Sequence, residues 1–228
     1  MKKKIIIIVS LLLSLLIGGT CSYFIFNSNK NDLLELPKPE VTGGERGLLG
    51  IDKNINEESL DNYLFRSDVV YRDMRMLKDP GNYEAIGGDS YLSGFVKGFE
   101  VIPYPLLTEV KGLPEEVGSS YKGKTLFKEV NGKYVANYKE SLEFLEYYFP
   151  KDKVIFLMCG GGGYAGMTKN LLVSLGWDEN KIYDVGGYWF YNGKYKVEVK
   201  NVTKNKTTYD FWKATYHDID FSTLTEVN

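Results

Sequence analysis

Cysteine and histidine are nearly absent from this chain of 228 residues, which holds two Cys and one His. Cys21 lies in an apolar amino-terminal segment and Cys159 in a glycine-rich stretch, which argues against a structural disulfide between them. A single His also leaves too few ligands for a zinc site, so His217-Asp-Ile-Asp220 reads as a polar loop and no metal is expected. There is no Gly-x-Ser-x-Gly, and the one base candidate for a serine hydrolase would be His217 in the tail. The glycine stretch ends in Met167-Thr168 where a P-loop needs Lys-Ser/Thr. Excess charge is scarce as well: the net charge is −2, with no basic stripe, so no nucleic-acid partner is expected. Residues 1–26 hold three Lys and no acid, which leaves −5 on the remainder. No internal repeat is visible. Hydrophobic content of 43% and charged content of 25% are those of an ordinary globular chain, and 18 Tyr with 12 Phe supply bulk for a core.

What is present centres on Val154-Ile-Phe-Leu-Met-Cys159, then Gly160, Gly161, Gly162, Gly163, Tyr164, Ala165 and Gly166. The unbroken apolar run predicts a strand buried on both faces. Met167, Leu171, Leu172 and Leu175 follow at helical spacing, and Gly176 stands where a helix C-cap belongs. The order strand, cysteine, glycine loop, helix places one thiol where backbone N–H groups and a helix N-terminus converge. Such a place favours an anion and is expected to lower a thiol pKa, making Cys159 a candidate nucleophile. The other reading of Cys159 is a small buried hydrophobe.

In chain order, Lys2-Lys3-Lys4 and the apolar run Ile5–Phe26 form a charged n-region and a segment long enough to span a bilayer. It reads as an uncleaved anchor, as a lipoprotein signal through Gly18-Gly19-Thr20-Cys21, or as a cleaved signal peptide. Either tethered form places the following domain outside the cell membrane, held by residues 5–26. Residues 27–54 read as a linker, with Pro37-Lys-Pro39 and Gly43-Gly44. Folding is expected to begin near Ile55, with Asn56 capping a helix that carries Glu57 and Glu58 in its first turn. Ser67–Asp73 reads as a strand, and Phe99–Tyr104 as a short extended piece. Residues 107–137 are turn-rich and look inserted, with a hairpin about Asn131-Gly132. A helix from Tyr138 with Leu142, Leu145 and Phe149 inward is ended by Pro150, and Lys181–Val185 is a further strand stopped by Gly186-Gly187. Alternating strands and helices argue a parallel α/β sheet. Residues 193–228 form a C-terminal extension, expected to add a β appendage at an edge.

Gly161-Gly-Gly163-Tyr-Ala-Gly166 also satisfies the dinucleotide-binding pattern, with Asp184 at the end of the next strand. Its context does not fit, because that turn opens a doubly wound sheet and too little chain follows Asp184.

Over residues 55–192 the chain resembles the rhodanese-like sulfurtransferases. The resemblance rests on Ile55-Asn56-Glu57-Glu58-Ser-Leu60 as an opening helix and Val69-Val-Tyr-Arg-Asp73-Met-Arg75 as a strand ending in Asp-x-Arg. It continues through Ser93-Gly-Phe-Val-Lys-Gly98, the Cys159 loop, and Tyr183-Asp-Val-Gly186-Gly187-Tyr-Trp189 as the closing strand and Gly-Gly turn. It implies a central parallel sheet flanked by helices, a persulfide carried on Cys159, and Gly160–Gly163 with Tyr164 as the substrate-binding loop. It implies a small sulfur donor, a thiol acceptor and no cofactor. Tyr164 stands where the family usually has an Arg that helps hold the sulfonate of thiosulfate, so a different donor is expected. No Arg lies between Cys159 and Trp177, which excludes the phosphatase relatives of the fold. The alternative within the same resemblance is an inactive binding module at the cell envelope.

Overall fold

The computed structural model describes residues 34–43, 46, 49–76, 94–111, 121–198, 200–204, 206–209 and 214–227. The chain divides into two compact units between Leu36 and Pro37, and the account below concerns the second, Pro37–Asn228. The expected anchor 5–26, with Cys21, lies outside the described residues. Among the described residues no helix is long and apolar enough to cross a membrane.

The architecture is mixed α/β, built on a four-stranded parallel sheet with helices against it. The strands are β1 (Val69–Asp73), β3 (Glu100–Val101), β6 (Val154–Cys159) and β7 (Ile182–Gly187), in the spatial order β3-β1-β6-β7. All three pairings are parallel, with Val69 beside Val154 and Ile155 beside Ile182. The apolar run 154–159 is therefore an inner strand, and its side chains from Ile155 to Cys159 are all buried. That is why it reads as continuous hydrophobicity rather than alternation.

Each face of the sheet has its own packing. Ile155, Leu157, Cys159 and Ile182 face a core shared with Leu145, Phe149, Tyr164, Leu171, Leu172 and Trp177. Phe156 lies on the opposite face between Tyr71 (ring centroids 5.5 Å) and Tyr183 (5.1 Å), both edge-on. Such contacts each add about 0.5–1.5 kcal/mol beyond area burial.

Three helices complete the α/β frame: α1 (Tyr104–Leu107), α2 (Ser141–Tyr148) and α3 (Gly163–Ser174). Helix α3 begins three residues earlier than the Gly166 start that the sequence suggests, because glycine at 162 and 163 can enter the helix directly. In α2 the inward positions are Ser141, Leu145 and Tyr148, whereas Leu142, expected to face inward, is 47% exposed. The helix begins at Ser141, and Leu145 and Phe149 are buried as expected, so Leu142 alone departs from the expected stripe. The opening helix at 55–60 is a turn followed by one 3-10 turn, Leu60–Asn62, with the Asn56 carboxamide accepting the Glu58 N–H at 3.0 Å.

The Asn131-Gly132 hairpin is formed by β4 (Phe127–Val130) and β5 (Lys133–Ala136). Both turn residues have positive φ (51° and 74°), as a tight hairpin turn demands. Short antiparallel pairs join β2 (Gly94–Val96) to β8 (Lys196–Glu198), and β9 (Lys200–Thr203) to β10 (Lys206–Tyr209).

The two ends of this unit are sewn into it. The segment from Pro37 to Asp52, expected as linker, forms a strap: the Tyr183 hydroxyl donates to the Pro37 carbonyl at 2.6 Å, and the Asp52 N–H donates to the Asp184 carbonyl at 2.7 Å. Asp52 folds the strap on itself by accepting N–H groups of Glu40, Asn54 and Ile55 at 2.8–2.9 Å. At the other end, Tyr216 bridges Val101 in parallel and extends the sheet past β3. The last residues then bond to the chain just after the hairpin, through Lys139 to Thr225 and Val227 to Asn137.

Candidate functional site

Cys159 is the last residue of β6 and points to the same face as Ile155 and Leu157, beneath the start of α3. The β6–β7 register slips here: Leu157 pairs with Asp184 but Cys159 pairs with Gly187. Gly186, with φ +92°, absorbs the extra residue. The ladder then runs beyond the strands, as Tyr188 N–H donates to the Cys159 carbonyl (2.8 Å) and Trp189 N–H to that of Gly160 (3.1 Å). The glycine loop is thus clamped along one side by the turn that follows β7.

Glycine is required in the loop for reasons that differ from one position to the next. A β-carbon at Gly160 would come 2.6 Å from the Trp189 indole, which lies across it. Gly162 has φ +107° and serves as the N-cap of α3, a conformation L side chains rarely adopt. A β-carbon at Gly166 would meet Leu49 of the strap and Asp184, at 3.0 and 3.1 Å. Gly161 is the half-exposed member, with Trp189 and Phe190 as its nearest side chains.

Two backbone donors converge on the sulfur. Gly162 N–H lies 3.0 Å from Sγ, and Ala165 N–H bonds to it from the first turn of α3. The expectation of a lowered thiol pKa nonetheless meets the opposite. Cys159 is 3% exposed, and burial, reinforced by the charges of Asp184 and Asp73, pushes its thiol up to about 11. The two N–H bonds act downward and lose, because removing water from a thiolate costs more than two partial charges return. At neutral pH the resting group is a neutral thiol.

Tyr164, expected at the substrate, lies elsewhere. It is 5% exposed, in the core, stacked on Tyr104 of α1 with ring centroids 5.4 Å apart. The neighbours that sequence reasoning passed over are Trp189 and Phe190, which roof the loop, with the Arg46 guanidinium 4.0 Å from the Phe190 ring centroid. Their signal is the run of four aromatics, Tyr188 to Tyr191, directly after Gly186-Gly187.

The Asp-x-Arg at the end of β1 is a buried ion pair. Arg75 bonds both oxygens of Asp73, donates to the Gly94 carbonyl at 2.9 Å, and lies 4.5 Å from the Tyr188 ring centroid. It ties β1 to the segment after β7 and so helps hold the loop's clamp. Asp184 is 2% exposed with its side chain turned beneath α3, so it does not stand at the sheet's rim as a ribose-binding acid would. His217 bonds Glu100 at 2.8 Å, while Asp218 and Asp220 cap their own backbone turns. Among the described residues no group of three possible ligands could hold a metal ion.

Comparison with known proteins adds no relative to this geometry: no family model, no curated protein and no solved structure matches the chain.

Proposed function

We propose that this is a rhodanese-like sulfurtransferase domain that carries a persulfide on Cys159. The observation that supports the reading best is the convergence of Gly162 and Ala165 N–H groups on Sγ at the carboxyl end of an inner parallel strand. Those donors can receive negative charge on sulfur without any side chain. In the step itself the Cys159 sulfur attacks the outer sulfur of a donor as its thiol proton is passed to the departing sulfur. The donor's S–S bond breaks and its electron pair leaves with the departing sulfur, giving Cys159–S–SH. An acceptor thiolate then attacks the outer sulfur and Cys159 leaves as the thiolate, so no net oxidant is needed. With Tyr164 in the core, the loop offers no guanidinium fork, and a neutral or singly charged persulfide is a better donor than thiosulfate.

Mass spectrometry after incubation with a small persulfide tests this: one added sulfur on the Cys159 peptide, absent in Cys159→Ser, is the expected result. Failure of every donor class to load Cys159 would leave the second reading, a binding module of the same architecture. One observation favours that reading, a neutral thiol that is almost wholly buried in the core.

We place the domain outside the cell membrane, tethered through residues 5–26. Protease treatment of intact cells should release it, and full protection would overturn the placement. Palmitate incorporation at Cys21 separates the lipoprotein from the helical anchor.

A further inference from the structure

We propose that Asp184 and Cys159 titrate as a coupled pair across the glycine loop, the ionised carboxyl holding the thiol in its neutral form. This goes beyond the sulfur-transfer reading and does not depend on it.

The argument begins with orientation. Leu157 and Asp184 are register partners in a parallel pair, and Cys159 shares Leu157's face, so both functional side chains lie on the side covered by α3. Gly162 stands between them. Its N–H reaches Sγ at 3.0 Å, and its missing β-carbon would lie 3.8 Å from Asp184 Oδ1. Ile51 packs against Gly162 and Leu49 against Gly166, so apolar side chains close the surroundings of the carboxyl.

The carboxyl group is poorly provided for as an anion. Oδ1 accepts one N–H, that of Gly186 at 3.0 Å, while Oδ2 has no partner among the described residues. A buried carboxylate with one hydrogen bond is costly, and neutralising it removes most of that cost. The surrounding charges do not offset it. Lys169 on α3 and Arg46 on the strap favour the ionised form, but Arg46 is already paired with Glu57, whose own charge opposes it. The Asp52 N–H goes to the Asp184 backbone carbonyl rather than to its carboxyl, and the Asp52 carboxylate is occupied within the strap. On the sulfur side, Asp73 adds negative charge that Arg75 counters. Burial dominates, and the Asp184 carboxyl is held well above its ordinary range. Asp184 is likewise the largest charge acting to raise Cys159. Two anions on either side of one glycine, in a site this dry, repel strongly enough that their titrations are coupled.

Asp184 therefore acts as a positioning residue for charge. When it is protonated, the donors of the loop serve the sulfur alone. When it ionises, the thiol is held neutral. The test is iodoacetamide alkylation of Cys159, read on its own peptide so that Cys21 does not interfere, across about pH 6–11 in the native chain and in Asp184→Asn. The two rates should agree within about twofold at the acid end. At alkaline pH the variant should lead by roughly tenfold, the equivalent of one pKa unit of coupling. A variant that leads equally at every pH would mean a permanently ionised Asp184, and profiles that coincide throughout would mean no coupling; either overturns the proposal. Should Asp184→Asn fail to fold, the carbon-13 shift of the Asp184 carboxyl in the native chain decides the matter. It should step above the usual carboxylate range and respond again as Cys159 titrates, the second response vanishing in Cys159→Ser. A single step in the usual range overturns it.

Discussion

The Trp189 indole lies across Gly160, 2.6 Å from where a β-carbon of that residue would be. Gly160→Ala should therefore displace the indole and open the roof over the loop. A loss of about 1–3 kcal/mol in stability and a red shift in tryptophan emission are expected, as for overpacking elsewhere. Trp189→Ala in the same chain should recover most of that loss. Additive effects of the two substitutions in urea melts would show that the indole does not meet Gly160.

Tyr164→Arg tests the loop from the other side. The ring is stacked in the core on Tyr104, so a guanidinium there must be buried where an aromatic ring was packed. The variant should lose on the order of 3–5 kcal/mol, and its thiosulfate turnover should not rise. Unchanged thermal stability with faster thiosulfate turnover would mean that residue 164 reaches the substrate after all.

Stability should fall at alkaline pH partly through Cys159. Its folded pKa, about 11, is above the ordinary 9.0, so the contribution is complete below pH 9 and is lost as pH rises through 11. Two units correspond to roughly 2–3 kcal/mol. Tyr71 and Tyr183, each pushed up to about 12 by burial, extend the loss to higher pH. In Cys159→Ser the decline between pH 9 and 11 should be visibly shallower in denaturant midpoints. An identical decline would place the sulfur in water.

The strap offers a fourth test. Asp52→Ala orphans three backbone N–H groups at once, those of Glu40, Asn54 and Ile55. It should cost on the order of 3 kcal/mol and expose residues 37–51 to proteolysis while the sheet remains folded. Proteolysis that removes the strap at the native rate would show that Asp52 does not hold it.

How much of this was legible depended on whether one segment's own pattern decided its fate. Val154–Cys159 with its glycines and the Asn131-Gly132 turn carry their structure locally: a run too apolar for a half-exposed strand, and two residues suited to positive φ. Leu142 and Tyr164 do not. Which residues of a helix face inward depends on where it starts and what packs on it, and here Leu142 is turned out and Tyr164 in. The strap looked like linker because its fixing bonds run from Tyr183 and Asp184, more than a hundred positions away. The thiol was misjudged for a related reason. A helix N-terminus is visible in sequence, but the desolvation that outweighs it is the work of Leu157, Leu172 and other core residues brought together only by folding.

The strand order has a consequence for how the molecule is made. Val69 in β1 finds its partner Val154 in β6 only after the intervening hairpin, α1 and α2 have been synthesised. The β3 edge waits longer still, for Tyr216, and the chain after the hairpin waits for Glu226. High contact order of this kind slows folding, since loop closure precedes the contacts that reward it. A truncation that removes the chain from Thr215 onward should therefore leave a chain able to form secondary structure but slow to close its sheet edge. Such a chain is the form of this protein most exposed to aggregation and to quality-control proteases.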